Sequence, residues 1–191
     1  MNQQNIPLPP AYEEILAQSR KLGFPMLSDV YTGSLLRTLV ASKPAGRFLE
    51  LGTGTGLALS WIVEAMNSES TVVSVDNNEL YQSVAKHFFG TDPRVELICT
   101  DGNQWIVENQ QEEFDLIFAD TWPGKYSVLE ETLAMLKPGG FYLIDDMLPQ
   151  PNWPEGHPDN VDKLIAHLEQ RSDIQMTKMN WSTGLIFIAK K

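Results

Sequence analysis

Three glycines, at 52, 54 and 56, sit between two carboxylates, Glu50 and Asp76, at a spacing that suits a bound nucleoside. The stretch Phe48-Leu49-Glu50-Leu51-Gly52-Thr53-Gly54-Thr55-Gly56-Leu57-Ala58 reads as a buried strand, a glycine turn and the start of a helix. Twenty residues after Gly56, Asp76 ends a second apolar run, Val72-Val73-Ser74-Val75. A carboxylate at that strand end can accept both hydroxyls of a ribose. It can equally cap a helix, since Asp76-Asn77-Asn78 precede a helical pattern. The charge beside the turn discriminates among nucleosides. A dinucleotide places an anionic pyrophosphate on the turn and the helix N-terminus. Glu50 disfavours an anion there and favours a cation, which S-adenosylmethionine supplies as a sulfonium and an ammonium. The third glycine is also one position early for G-x-G-x-x-G, where Leu57 stands instead. The bland reading of the same glycines is a tight strand-to-helix turn.

A second constellation lies further on. Phe114-Asp115-Leu116-Ile117-Phe118-Ala119-Asp120 reads as a strand ending in a carboxylate, and Asp145 and Asp146 end the next strand twenty-five residues later. If the two strands are neighbours, three carboxylates converge. Oxygen-rich sites of that kind suit Mg²⁺ or another hard divalent cation, and such an ion could hold an acceptor hydroxyl and lower its pKa. Without a metal, Asp145-Asp146 would cap the loop backbone and Asp120 would touch cofactor or acceptor alone. Lys125 is either a solvated lysine before a helix or a general base or acceptor contact. Trp122 is a candidate pocket wall. Trp153 is a candidate lid residue, His157 reads as a surface residue, and His87 and His167 fall in helical patterns.

The glycine segment resembles the first motif of class I S-adenosylmethionine-dependent methyltransferases. Asp120-x-Trp122-x-x-x-Tyr126, then Lys137-Pro138-Gly139-Gly140, then an apolar strand closed by two polar residues, resembles a narrower group, catechol O-methyltransferase and its metal-dependent relatives. Phe24-Pro25-Met26-Leu27-Ser28-Asp29 with Thr32-Gly33 resembles that group's segment lying against the methionine part of the cofactor. The resemblance implies cofactor contacts from Met26, Glu50, Gly52, Thr53, Gly54, Gly56, Asp76, Asn77, Asp101, Gly102, Asp120 and Trp122, with Asp101 facing the adenine amino group. It implies a metal at Asp120, Asp145 and Asp146, and catalytic roles for Asp120 and Lys125. Three positions depart from the pattern: Asp146 replaces an Asn, Pro123 stands where the catalytic lysine is expected, and Ala58 lacks a hydroxyl used by some relatives.

These residues need a scaffold. Pro9-Pro10 open a helix over Ala11 to Leu22, closed by Gly23, and Ser28 is the expected N-cap of a second helix through Ala41. Strands are then expected at 47–51, 71–75, 95–99, 115–119 and 140–145, and helices at 56–66, 78–89, 103–109, 126–136 and 160–171. Such alternation implies a parallel sheet covered on both faces. Ile174 to Trp181 and Leu185 to Lys190, joined by Ser182-Thr183-Gly184, read as a closing hairpin. The fold expected is α/β, a Rossmann-like seven-stranded sheet whose order 3-2-1-4-5-7-6 follows from the resemblance. Residues 1–191 read as one domain, with N-terminal helices to 43, a core over 44–148, an acceptor-side loop over 149–160 and a last helix and hairpin over 161–191. Four prolines between 149 and 158 exclude a helix or central strand there.

Composition narrows the partners. At 42% hydrophobic and 20% charged residues the chain folds rather than remaining disordered. A net charge of -11 argues against nucleic acid and anionic membrane and leaves a small-molecule acceptor. Cys99, the single cysteine, excludes an internal disulfide and is expected as a buried small hydrophobe. Met1-Asn2-Gln3-Gln4 lacks signal-peptide character, so a cytoplasmic protein is expected, and the resemblance implies a homodimer through the N-terminal helices. The function expected is O-methylation of a catechol- or phenol-like hydroxyl. Two alternatives stand beside it: a non-catalytic cofactor-binding relative, and an NAD-type oxidoreductase.

Overall fold

Continuous apolar runs bounded by polar turns generate the strands, and the period-two alternation of their side chains feeds two cores. The computed structural model describes residues 6–151, 153 and 156–191. The Met1-Asn2-Gln3-Gln4 stretch, and Asn152, Pro154 and Glu155 of the proline-rich loop, lie outside the described residues. Strands β1 (Arg47–Leu51), β2 (Thr71–Asp76), β3 (Val95–Cys99), β4 (Phe114–Ala119), β5 (Leu136–Ile144), β6 (Ile174–Met179) and β7 (Leu185–Lys190) form one sheet in the order β3-β2-β1-β4-β5-β7-β6. The first five run parallel, and β7 inserts antiparallel between β5 and β6. This is the order that the family resemblance implied.

Helices α1 (Tyr12–Lys21), α2 (Val30–Ala41), α3 (Leu57–Ala65) and α4 (Glu79–Phe89) cover one face. There Ile15, Leu36, Trp61 and Val84 pack on Phe48, Val72, Leu116 and Phe118. Helices α5 (Gly102–Glu108), α6 (Leu129–Ala134) and α7 (His157–Glu169) cover the other. There Ile106, Leu133 and Leu164 pack on Leu49, Leu51, Val73 and Ile117. Strand order reverses between β1 and β4, so a crevice opens at their C-terminal ends.

Several expectations are corrected. Asp29, not Ser28, caps α2, accepting from the backbone N–H of Tyr31 at 2.5 Å and of Thr32 at 3.1 Å; the Ser28 hydroxyl is thereby left to face the crevice. Strand β5 begins at Leu136 because a register slip after Phe114 absorbs the Pro-Gly-Gly turn into the ladder. Helix α6 begins only at Leu129, because Trp122–Val128 close a turn in which the N–H groups of Lys125 and Tyr126 both donate to the Trp122 carbonyl. The loop expected over 149–160 ends sooner, and the exclusion of helix through 158 fails: α7 begins at His157, and Pro158 lies in its first turn, where its missing N–H costs nothing. Cys99 is exposed, because β3 is an edge strand.

Close packing of α2 on α3 rests on Gly33. A Cβ there would lie 2.3 Å from Trp61 Nε1. Trp61 is itself buried, with Tyr12 packed edge-on at 5.8 Å and Arg37 over its ring at 4.9 Å. An exposed helical Gly→Ala change stabilises by about 1 kcal/mol, but here overpacking reverses the sign. Gly33→Ala is expected to destabilise by about 2 kcal/mol and to lower the melting temperature by about 4–8 °C, as calorimetry would read. An unchanged or higher melting temperature would show that Trp61 yields without cost.

Candidate functional site

The glycine turn needs glycine for two separate reasons. Gly52 and Gly54 have φ of +99° and +51°, and a Cβ on Gly52 would lie 2.9 Å from the Asp120 carbonyl oxygen. The turn therefore lies directly against the end of β4. Asp76 ties it to β2: Oδ2 accepts from the Gly54 N–H at 2.7 Å and Oδ1 from the Asn78 N–H at 2.8 Å. The cap of α4 falls to Asn78, which accepts from the Tyr81 N–H at 3.0 Å. Asp76 is thus free of capping duty and faces the crevice.

Beneath the turn Glu50 is fully buried. Its Oε2 accepts from the Ser74 hydroxyl, which shares a 2.6 Å hydrogen bond with Thr53 Oγ1. Its Oε1 has no hydrogen-bond partner among the described residues. Burial pushes the Glu50 carboxyl up to about 8; the Ser74 hydrogen bond opposes that shift, and the nearby Asp120 and Asp76 charges add to it.

The crevice above has a volume of about 590 Å³. Asp76, Asn77, Asn78 and Tyr81 line one end, the glycine turn its floor, and Phe24 to Asp29 a side wall that includes the exposed Met26. Asp120, Lys125, Asp145, Asp146 and the aromatic rings of Trp122, Trp153 and His157 line the other end. Of the residues singled out in the sequence, Met26, Gly52, Thr53, Gly54, Asp76, Asn77, Asp120, Trp122, Lys125, Asp145 and Asp146 share this one crevice. Glu50 and Gly56 are not among its lining residues. Asp101 and Gly102 are not either: Asp101 caps α5 through the Gln104 N–H at 3.0 Å, and Gly102 packs against Pro123.

At the acidic end, burial and repulsion from Asp145 push the Asp120 carboxyl well above the usual carboxylate range, against the pull of the Lys125 charge. Burial likewise raises Asp145, although its Oδ1 accepts from Thr183 Oγ1 and from the Asp146 N–H, each at 2.6 Å. Asp146, at φ +60°, turns its carboxylate outward, where Oδ1 accepts from Trp153 Nε1 at 2.8 Å. Lys125 is not solvated but 3% exposed, and its ammonium donates to the Asp145 carbonyl at 2.5 Å.

The metal centre expected at Asp120, Asp145 and Asp146 does not fit this arrangement. Among the described residues no three His, Cys, Asp or Glu side chains gather as ion ligands. A divalent ion requires several convergent oxygens. Oδ1 of Asp145 and Oδ1 of Asp146 are engaged by Thr183 and Trp153, and the ammonium of Lys125 stands beside them on the backbone carbonyl oxygens of Asp145 and Asp146.

His157, expected on the surface, is 3% exposed. Its Nε2 lies 2.9 Å from Tyr126 Oη, and its ring stacks on Trp153 at 4.2 Å. Sequence reasoning also missed Thr183. The signal was available: with β7 paired antiparallel to β5, the turn before β7 must lie at the end of β5, beside Asp145.

The family described as "Methyltransferase domain" matches residues 49–147, just over half of the chain. Catechol O-methyltransferase B of Danio rerio is 25% identical over 126 residues, covering 61% of this chain and 48% of that protein. A protein of Mycolicibacterium vanbaalenii is 28% identical over 117 residues. The chain spans about half the length of the curated relatives it matches. Among solved structures, the O-methyltransferase from Bacillus cereus in complex with SAH aligns at TM-score 0.84 and 20% identity over 98% of this chain and 93% of that one. TomG from Streptomyces achromogenes, an O-methyltransferase in complex with SAM, aligns at 0.82 and 19% identity over 97% and 92%. At these identities the two structures establish the shared fold.

Proposed function

The chain belongs to the methyltransferase-domain family, and from that premise we propose that its crevice binds S-adenosylmethionine and passes the methyl group to the oxygen of a small catechol- or phenol-like acceptor. One observation carries the reading. A single continuous crevice has a ribose-competent carboxylate, Asp76, at one end and carboxylates framed by aromatic rings at the other. A relative named catechol O-methyltransferase supports the acceptor class. Fold neighbours holding SAM and SAH support the cofactor.

The reaction is an in-line displacement. The acceptor oxygen attacks the methyl carbon as the carbon–sulfur bond breaks; the sulfonium becomes a neutral thioether and the hydroxyl proton departs. Asp120 takes that proton, since burial gives its carboxylate a raised proton affinity. Trp122 and Trp153 offer flat apolar surface to a planar acceptor. Most of the rate comes from holding oxygen and methyl aligned with water excluded. No step runs through a metal, because the carboxylates present do not fit one.

The direct test is S-adenosylhomocysteine release with a panel of phenolic acceptors, in Mg²⁺ and again in EDTA. Release with at least one phenol is expected. Displacement of bound S-adenosylhomocysteine by NAD would overturn the cofactor assignment. Tight S-adenosylhomocysteine binding with no turnover on any phenol would overturn the acceptor class.

A further inference from the structure

We propose that the Lys125 ammonium is the resident cation of the acidic end, standing where a divalent ion would otherwise be needed, so that the acceptor oxygen is held and its developing charge stabilised by Lys125 with no metal bound. The consequence for catalysis rests on the methyl-transfer reading; the place of the cation does not.

The position of Lys125 is imposed by the backbone. Within the Trp122–Val128 turn, Gly124 adopts φ +82°, its N–H donates to the Ser127 carbonyl at 2.9 Å, and its own carbonyl accepts from Tyr142 Oη at 2.6 Å. Tyr142 is wholly buried in the core. A Cβ on Gly124 would lie 2.6 Å from Leu51 Cδ1, so the turn is pressed against β1. The chain cannot swing Lys125 outward without leaving these contacts.

The chemistry of the ammonium follows from its neighbours. Its Nζ lies 2.5 Å from the Asp145 carbonyl oxygen and 3.5 Å from that of Asp146, and 5.0 Å from the centre of the Tyr126 ring. Burial lowers the proton affinity of the Lys125 amine against the opposing pull of three carboxylates, Asp120, Asp146 and Asp145, and no second cationic side chain lines the crevice among the described residues. An ammonium has three donors. Two are directed at carbonyls, which leaves one for an oxygen entering the crevice that Lys125 lines. That remaining donor suits an acceptor hydroxyl as it turns into an oxyanion.

A divalent ion entering this cluster would meet a fixed positive charge a few ångströms away. Oδ1 of Asp145 is already held by Thr183 and Oδ1 of Asp146 by Trp153, so bidentate ligation by either carboxylate would give up a charge-assisted hydrogen bond. The carboxylates therefore serve the ammonium, and the ammonium makes their burial together tolerable.

Mn²⁺ serves as the probe, because its paramagnetism reports binding without turnover. In the full chain saturated with S-adenosylhomocysteine, Mn²⁺ titrated by electron paramagnetic resonance is expected to show no stoichiometric site, and methyl transfer is expected to be equal in EDTA and in Mg²⁺. Lys125→Met removes the charge while retaining the apolar stem; it is expected to gain about tenfold or more in Mn²⁺ affinity, with Asp145→Asn added to it cancelling the gain. Lys125→Arg, which keeps the cation, is expected to remain without a Mn²⁺ site. One stoichiometric Mn²⁺ in the wild-type chain, displaced by Mg²⁺ and lost in Asp145→Asn, would overturn the proposal. The wild-type titration decides this even if Lys125→Met fails to fold. S-adenosylhomocysteine affinity, read by calorimetry in the same samples, tests the methyl-transfer reading separately.

Discussion

Asp76→Ala is expected to weaken S-adenosylhomocysteine binding by about 100-fold in a calorimetric titration. The figure follows from two ribose hydroxyls donating to one carboxylate. Each such charge-assisted bond contributes about 1.5–3 kcal/mol when its loss leaves a buried donor unpaired, and roughly 3 kcal/mol corresponds to a 100-fold change in affinity. The same carboxylate already accepts from the N–H groups of Gly54 and Asn78, so its removal also loosens the glycine turn. In Asp76→Asn the amide keeps one acceptor oxygen, so one of the N–H groups of Gly54 and Asn78 loses its partner and one ribose hydroxyl meets a donor instead of an acceptor. It is expected to lose about tenfold in affinity and about 2–4 °C in melting temperature. Unchanged affinity in both variants would remove the ribose assignment and leave Asp76 as a clasp of the turn alone.

That the assignment could be argued from sequence at all reflects which kinds of information are local. Continuous apolar strands, a glycine turn and a carboxylate at a strand end are written within short windows, so the sheet, its parallel core and the Asp76 end of the crevice were legible before any coordinates. Interactions settled between distant segments were not. Ser28 and Asp29 are both good caps, and which one serves α2 depends on Ser28 facing Asp120 across the crevice, 92 positions away in the chain. Cys99 follows an apolar pattern, and its exposure follows from β3 being an edge. The three carboxylates line one crevice. Of their hydrogen-bond partners, Thr183 follows only from the antiparallel pairing of β7 with β5, and Trp153 and the backbone between the two aspartates do not follow from spacing. His157 was misplaced because a proline-rich stretch signals a loop without saying which of its side chains turns inward.

Glu50 yields the second large effect, this time on stability. In the unfolded chain its carboxyl titrates at the ordinary value of 4.5; in the empty folded protein it does so at about 8. The folded state therefore binds more protons than the unfolded state between those values, and stability falls as pH rises through that window. The contribution is fully present below 4.5 and lost as pH passes 8. The gap corresponds to something of the order of 5 kcal/mol, enough to lower the melting temperature by about 10–20 °C between pH 5 and 9. Glu50→Gln places an amide next to Ser74 and cannot ionise, so its melting temperature is expected to fall less steeply over the same range, the remaining decline coming from Asp120 and Asp145, whose carboxyls burial also raises. If both proteins fell in parallel, the titrating group would lie elsewhere, in Asp120 or Asp145. Cofactor binding should act in the opposite direction. A sulfonium and an ammonium brought into the crevice favour ionised Glu50, which releases its proton on binding. S-adenosylmethionine affinity is then expected to rise with pH between 6 and 8, by at most about tenfold per unit, and the neutral thioether of S-adenosylhomocysteine should show a shallower slope. The difference between the two slopes isolates the sulfonium. On this reading Glu50, largely protonated in the empty fold at neutral pH, carries its charge only when the cofactor's positive charge is there to pair with it.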